Sequence, residues 1–523
     1  MTRRFCTPAS GSGRVEVEGL KEVRLSEPRV GDHGGADGGA PANGEGLQRS
    51  LGVFSAITLI VGSQIGSGIF IAPSIMAGLI SSPGVYLGLW VLGGVLTLLA
   101  ALSYSELSAR LPRAGGQYVF LREAFGPLTG FLYGWTLFLV VQTGFNAAVA
   151  IAFSKYLGGL GLPLGEGDVV LRLGPMLISR AQIAAVVVIA VLTGINTLGV
   201  KQGALVQNLF TTLKVGAVAA LVLVGFSSGK GSFSHFSPAF STAVGEAGLR
   251  MGFLAAAAVA MSKALFAYDA WNSVTFVAEE IREPQRNLPR ALIGGTLATM
   301  LIYVGACAAY LYVLPMARMA AVPENRVAAE VATVLLGPVG LTAVSVAILI
   351  STFGCENGLI LTGARVLYAM ARDGCFFRSC ATVHPRFHTP HVALWVQGVW
   401  SAVLALSGSY SRLLTYVTFA SLLFNALTVV GLFVLRRRPE KLGFGEHLTT
   451  DGSPFRAPAP PVTAESGYRT LGYPLTPALY LAGAGFFIVY IFVGDPVASL
   501  AGLGLVALGL PAYLWLRRAP RRE

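Results

Sequence analysis

Charge is scarce in this 523-residue sequence: 12% of it is Asp, Glu, Lys or Arg, while 54% is hydrophobic. An average soluble domain carries roughly 25% charged residues, so a soluble fold could not hide this much apolar surface. Paired cysteines are also lacking. Cys6, Cys307, Cys355, Cys375 and Cys380 follow neither a disulfide nor a zinc spacing and read as structural. His384, His388 and His391 share one loop, but with no carboxylate or thiolate pattern beside them they read as a solvated loop rather than a metal site. Gly225-Phe226-Ser227-Ser228-Gly229-Lys230 is one residue short of a phosphate-loop spacing, which leaves ATP-driven chemistry unsupported. No Ser/His/Asp or paired-carboxylate constellation falls at one depth, so neither an enzyme nor a cofactor is expected. The segment 1–49 has balanced charge, much glycine and no apolar core with a cleavage site. It reads as a disordered tail rather than a signal peptide.

What the sequence does have is apolar blocks of about twenty residues, the length a helix needs to cross a bilayer. Without water at that depth each span must satisfy its own backbone, which makes the spans helical unless they line a cavity. Twelve are expected, near 51–79, 86–108, 126–156, 182–200, 203–226, 250–280, 291–314, 337–371, 391–408, 412–435, 473–493 and 496–516. Between the tenth and eleventh, 438–470 is rich in proline (Pro454, Pro458, Pro460, Pro461) and reads as a linker. Lys and Arg gather in alternate loops, among them Arg110, Arg113 and Arg122, then Arg282, Arg286 and Arg290, and finally Arg436, Arg437 and Arg438. By the positive-inside rule both termini are then cytoplasmic, in the plasma membrane or cell inner membrane. The basic residues are spread over loop ends, so the net charge of +12 needs no nucleic acid to explain it.

The informative residues are those a lipid-facing helix would not choose. In the first span, Val61-Gly62-Ser63-Gln64-Ile65-Gly66-Ser67-Gly68-Ile69-Phe70 puts glycines and polar residues at mid-depth, with Pro73 just beyond. Each glycine costs about 1 kcal/mol relative to alanine in a helix interior. Small residues also let helices approach closely, but this density predicts an unwound stretch whose free N–H groups can receive a carboxylate. Five spans later comes Phe266-Ala267-Tyr268-Asp269-Ala270-Trp271-Asn272. An acid near mid-span would cost roughly 2.5–3.5 kcal/mol if lipid-exposed, so Asp269 faces protein or water. Paired interruptions of this kind mark an inverted-repeat transporter with substrate between them. Lys214 in the fifth span needs an acceptor or a lowered pKa. Glu356, in the eighth, is a second buried acid, either proton-linked or held in an ion pair. Asp269 could pair with Lys263 only if the helix unwinds, because a spacing of six does not share a face. Lys155 is placed to snorkel to the outer interface.

Gly66-Ser67-Gly68-Ile69-Phe70, Phe266 to Asn272, Glu279-Glu280-Ile281 through Arg286-Asn287-Leu288-Pro289-Arg290, and Asn357-Gly358 with Thr362-Gly363-Ala364-Arg365 together resemble the amino acid/polyamine/organocation superfamily. Within it the chain is similar to light-subunit-type amino acid exchangers and bacterial serine/threonine exchangers. Arg110-Leu111-Pro112 and Gly115-Gly116-Gln117-Tyr118 add to the likeness, which runs from about 50 to 437. It implies an all-α polytopic membrane protein of the leucine-transporter type: a five-plus-five inverted repeat (50–226 and 227–437), then two extra helices and a short basic tail in 471–523.

The resemblance also implies a substrate site formed by Ser63, Gln64, Ile65, Gly66, Ser67 and Gly68 with Phe266, Ala267, Tyr268, Asp269 and Asn272. Backbone amides around Ser67 and Gly68 would take an α-carboxylate, and carbonyls at Gln64, Phe266 and Asp269 an α-ammonium. Phe266 resembles an aromatic lid, and Asn272 a substrate or gate contact. Lys214 falls where sodium-coupled relatives hold an ion, so sodium coupling is the least expected mode, and exchange and proton symport stay open. Mammalian exchangers tend to have glycine at the position of Asp269, although bacterial relatives often carry the acid. The loop 157–181 has no cysteine, so a disulfide to a heavy subunit cannot form there; a monomer or weak homo-oligomer is expected. The expected activity is secondary transport of small neutral amino acids. A cationic amino acid or polyamine permease and a non-transporting sensor are the alternatives.

Overall fold

The computed structural model describes residues 47–438, 447–448, 454–455 and 467–518, apart from 159, 161, 163, 165–167, 174–175, 250–251, 408–409 and 495. Most of the proposed tail and of the 438–470 linker, and the Lys155 side chain, therefore lie outside the described residues.

Helices α1 (Val53–Gln64) and α2 (Gly68–Leu79) form one broken span. It is followed by α3 (Pro83–Arg110), α4 (Gln117–Phe125) and α5 (Pro127–Thr136), which runs through a π-helical turn at Leu137–Val141 into α6 (Gln142–Gly158). A short hairpin, β1 (Val169–Leu173) with β2 (Met176–Ser179), leads to α7 (Arg180–Thr197) and α8 (Val200–Ser227). Next come α9 (Phe253–Ala267), a tight 3-10 segment at Ser273–Glu280, α10 (Pro284–Val313), α11 (Met316–Ala320), α12 (Val327–Leu336) and α13 (Pro338–Arg372). The chain continues with α14 (His391–Ser407), α15 (Tyr410–Arg436), α16 (Leu475–Gly494), α17 (Pro496–Ala507) and α18 (Gly509–Arg518).

Local chemistry explains several boundaries. Proline opens α3, α5, α10 and α13, where its missing N–H costs nothing and its fixed φ suits a first helical turn. Ser179 and Gln182 close a capping box at the start of α7.

Among the described residues, ten helical stretches are long and apolar enough to cross a membrane. They coincide with ten of the twelve expected segments. The other two, 250–280 and 391–408, hold helices of 15 and 17 residues. The first of these is short because the chain leaves the helix after Ala267, turns through Tyr268–Asn272 and resumes as 3-10 helix. The final expected span, 496–516, is bent between α17 and α18.

Helix α8 shows how a bilayer inverts the usual pattern. Its buried face carries Gly203, Gln207, Thr211 and Lys214, whereas Leu205, Leu209, Leu213 and Leu223 are exposed. The leucines gain nothing from burial when the surroundings are as apolar as they are, and the polar groups need partners inside.

Candidate substrate site at the helix breaks

The first break follows from three carbonyls that lose their helical partners. At the end of α1 the N–H of Gly66 bonds to Gln64 O at 2.8 Å instead of reaching back to Gly62. Carbonyls orphaned at a helix end need other donors, and here side chains supply them. Lys214 Nζ donates to Gly62 O at 2.7 Å, Ile65 O at 2.9 Å and Ser351 O at 2.8 Å. Ser351 Oγ donates to Ile65 O at 2.8 Å, and the Cys355 thiol to Ser63 O at 2.9 Å. The acceptor that the sequence required for Lys214 is thus the broken helix itself. Its ammonium sits at the negative end of a half-helix, where a cation is favoured.

The glycines serve both close packing and the break. A Cβ on Gly66 would lie 2.7 Å from Cys355 Sγ, and one on Gly68 would lie 2.8 Å from Ala267 Cβ and 2.9 Å from Ala267 Cα. The two breaks therefore touch. The start of α2, whose first N–H groups have no intrahelical acceptor, abuts the end of α9. Gln64 Nε2 donates to Tyr268 O at 2.8 Å, and the Tyr303 hydroxyl lies 2.5 Å from Gln64 O and 3.0 Å from Ala267 O. Gln64 O already serves Tyr303 and Gly66 in this conformation.

The second break is made by Ala270, whose φ of +67° is uncommon for a residue with a Cβ. Asp269 accepts the Ala270 N–H at 2.8 Å, a side-chain bond that supports this local turn. Its side chain lines a cavity with Gln142, Phe145, Asn272, Leu359 and Ser421. Asp269 also lines a second cavity, with Thr97, Tyr268 and Tyr480. Phe266 stacks on Phe145 of α6, with centroids 5.1 Å apart and planes 18° from parallel. Asn272 donates to Gln117 Oε1 at 2.6 Å and to Asn425 Oδ1 at 3.4 Å, which ties the end of the turn to α4 and α15.

The remaining motifs meet at the end of the molecule that holds the start of α1. Gly115 N–H bonds to Phe276 O at 2.9 Å. Gly116 has φ +41°, and a Cβ there would lie 2.6 Å from the Thr275 carbonyl carbon, so only glycine fits. Glu280 and Arg365, both fully buried, form a two-pronged pair at 2.9 and 3.2 Å. Leu51 N–H bonds to Glu280 O at 2.9 Å, and Arg372 pairs with Glu279 at 3.3 Å. His384, singled out in the histidine loop, accepts the N–H groups of Arg386 and Phe387 at 3.2 and 3.3 Å. Among the described residues no three His, Cys, Asp or Glu side chains gather into a possible metal site.

Site residues that sequence reasoning did not single out are Tyr303, Ser351, Cys355, Gln142 and Phe145. Each lies on a regular helix, and nothing in its local sequence marks the partner it meets. Of those singled out, Gln64, Gly66, Gly68, Phe266, Ala267, Tyr268 and Lys214 come together at the two breaks, while Asp269 and Asn272 face the adjoining cavity.

A many-helix membrane protein with two interrupted helices in contact, one offering amide N–H groups and the other carbonyls, has the build of a solute transporter. The family model for amino acid permeases matches residues 51–504, and the chain belongs to that family. It is 29% identical over 475 residues to the serine/threonine exchanger SteT of Bacillus subtilis (strain 168), covering 90% of this chain and 98% of that protein. It is 31% identical over 391 residues to the b(0,+)-type amino acid transporter 1 of Homo sapiens, covering 75% and 76%. To the Asc-type amino acid transporter 1 of Mus musculus it is 31% identical over 476 residues, covering 89% and 81%.

Proposed function

We propose that this protein is a secondary transporter that moves small neutral L-amino acids by alternating access, with the α-carboxylate on the amides at Ser67 and Gly68. The observation that carries the reading is the contact between Gly68 and Ala267. It sets a half-helix N-terminus against a helix end, so that opposite charges of a zwitterion can be held within a few ångströms. The α-ammonium would go to the carbonyls of Phe266 and Asp269, and to Gln64 O once Tyr303 gives way. Lys214 holds the break in place of a metal cation, which supports transport without sodium. The names of the similar proteins refer to serine/threonine exchange and to amino acid transport, which supports an amino acid as the substrate.

The same reading arranges the chain as twelve spans, the ten long ones plus Phe253–Ala267 and His391–Ser407. The two five-helix repeats would be 50–226 and 227–437, followed by the linker and two peripheral helices. Both termini would be cytoplasmic, in the plasma or cell inner membrane, and no disulfide-linked heavy subunit is required.

Asp269 in the cavity wall favours one second reading, a permease for cationic amino acids or polyamines. Purified protein in liposomes loaded with a mixture of amino acids separates the readings. Uptake of a labelled small neutral amino acid, competed by its neighbours in size, supports the first. Competition only by lysine, arginine or polyamines supports the second. No uptake of any labelled amino acid leaves a sensor on the same fold.

A further inference from the structure

Glu356 is the buried acid of the membrane interior that the substrate site does not use. It lies on α13 with 1% of its surface exposed. Neither carboxyl oxygen has a hydrogen-bond partner among the described residues. The ion-pair alternative raised by the sequence is therefore not met by any described residue. An ionised carboxylate in that position would be an uncompensated buried charge, at a cost of several kcal/mol.

The ionisable groups on the packed neighbours are engaged elsewhere or lie toward helix ends. On α8, Lys214 gives its three protons to the carbonyls of Gly62, Ile65 and Ser351, and Lys201 is in the first turn. Helix α1 has no ionisable side chain. Cys355 on α13 donates to Ser63 O, and Glu279 and Glu280 of the 3-10 segment pair with Arg372 and Arg365. Glu330 of α12 pairs with Arg318. Arg180 and His391 begin α7 and α14, and on α6 Tyr156 and Lys155 fall in the last turn. Tyr133 is in the last turn of α5, Tyr118 and Arg122 of α4 bond to Asp373 and Glu123 pairs with Arg122, and Arg378 and Cys380 lie in the 3-10 turn after α13.

Glu356 is five residues from Ser351, a rise of about 7.5 Å along a helix, and Ser351 is bonded through Lys214 to the broken span. It also follows Cys355, which bonds to the same span. A rearrangement of the break thus acts directly on the helix turn that carries the acid.

We propose that Glu356 is a proton-binding site of the transport cycle. Its carboxylate takes a proton from water when one conformation exposes it, carries that proton while buried as here, and releases it to water on the other side. No other bond changes. This inference rests on the transporter reading above and adds a coupled proton to it.

The test uses full-length protein in liposomes containing a pH-sensitive dye, with the membrane potential clamped at zero. Adding labelled small neutral amino acid outside should acidify the lumen. An inside-alkaline gradient of one unit should support about tenfold accumulation for one proton per substrate. Glu356→Gln should exchange amino acid across the membrane yet lose both the acidification and the gradient-driven accumulation. Should the Gln variant not be recovered monodisperse, Glu356→Leu serves, since replacing an unpartnered buried acid by an apolar group is not expected to destabilise. Proton movement retained in either variant overturns the proposal. So does amino acid uptake by the wild type without proton movement, which leaves the transporter reading standing. No uptake of any amino acid by the wild type overturns both.

Discussion

The Lys214 ammonium lies 2.9 Å from the carbonyl oxygen of Ile65, the residue at which the first span leaves its helix. With its bonds to Gly62 and Ser351 this makes the lysine a clamp between the broken span and α13, using all three of its donors.

Replacing Lys214 by alanine should therefore remove three charge-assisted hydrogen bonds and leave Gly62 O without its side-chain donor, while Ile65 O keeps Ser351 Oγ. Hydrogen bonds to a charged group are worth about 1.5–3 kcal/mol each, so transport should fall by about a hundredfold or more. Initial uptake rates in liposomes, normalised to inserted protein, check this. Wild-type rates in Lys214→Ala would remove the lysine from the mechanism.

Gly68→Ala puts a Cβ 2.8 Å from the Ala267 side chain and 2.9 Å from its backbone. Overpacking of this kind costs about 1–3 kcal/mol, and here it must spread the two breaks apart. Apparent substrate affinity should drop by about tenfold. Gly78→Ala, where a Cβ meets nothing within 4 Å, is the control and should transport normally.

Phe266→Ala removes the ring stacked on Phe145. An aromatic pair contributes about 0.5–1.5 kcal/mol beyond its buried area, and as a lid the ring would act on the bound state. Uptake of small substrates should fall by about tenfold. If Tm drops while the uptake rate is kept, Phe266 is a packing residue and nothing more.

Arg365→Ala leaves the fully buried Glu280 without its partner. Breaking a buried pair from one side costs about 3–5 kcal/mol, so the detergent-solubilised variant should melt well below wild type. The double variant Glu280→Gln/Arg365→Met should recover part of the loss. A single variant as stable as wild type would contradict the pairing.

Much of this site was legible in the sequence, for physical reasons that can be named. A run such as Gly62 to Gly68 in an otherwise apolar span has no purpose facing lipid, and Lys214 could not be buried without acceptors. What those acceptors are was not legible. Ser351 and Cys355 lie 137 and 141 residues beyond Lys214 in the numbering, and no local periodicity records such a meeting. The tight turn at Tyr268–Asn272 was foreseen as an interruption. That it would shorten the helix to Phe253–Ala267 and hand over to 3-10 geometry depends on Ala270 adopting a left-handed conformation, which alanine does not announce. Glu280 and Arg365 each belonged to a recognisable motif, but their pairing is a tertiary fact.

The account turns on where the two charged ends of the substrate are held. The most direct measurement is competition against uptake of a labelled small neutral amino acid by three unlabelled relatives: the same amino acid, its methyl ester and its decarboxylated amine. If the amides of Ser67 and Gly68 hold the carboxylate, the amino acid competes and the ester and amine do so about ten- to a hundredfold more weakly, as expected for loss of a charge-assisted bond. Equal competition by the amine would contradict a carboxylate site at the break.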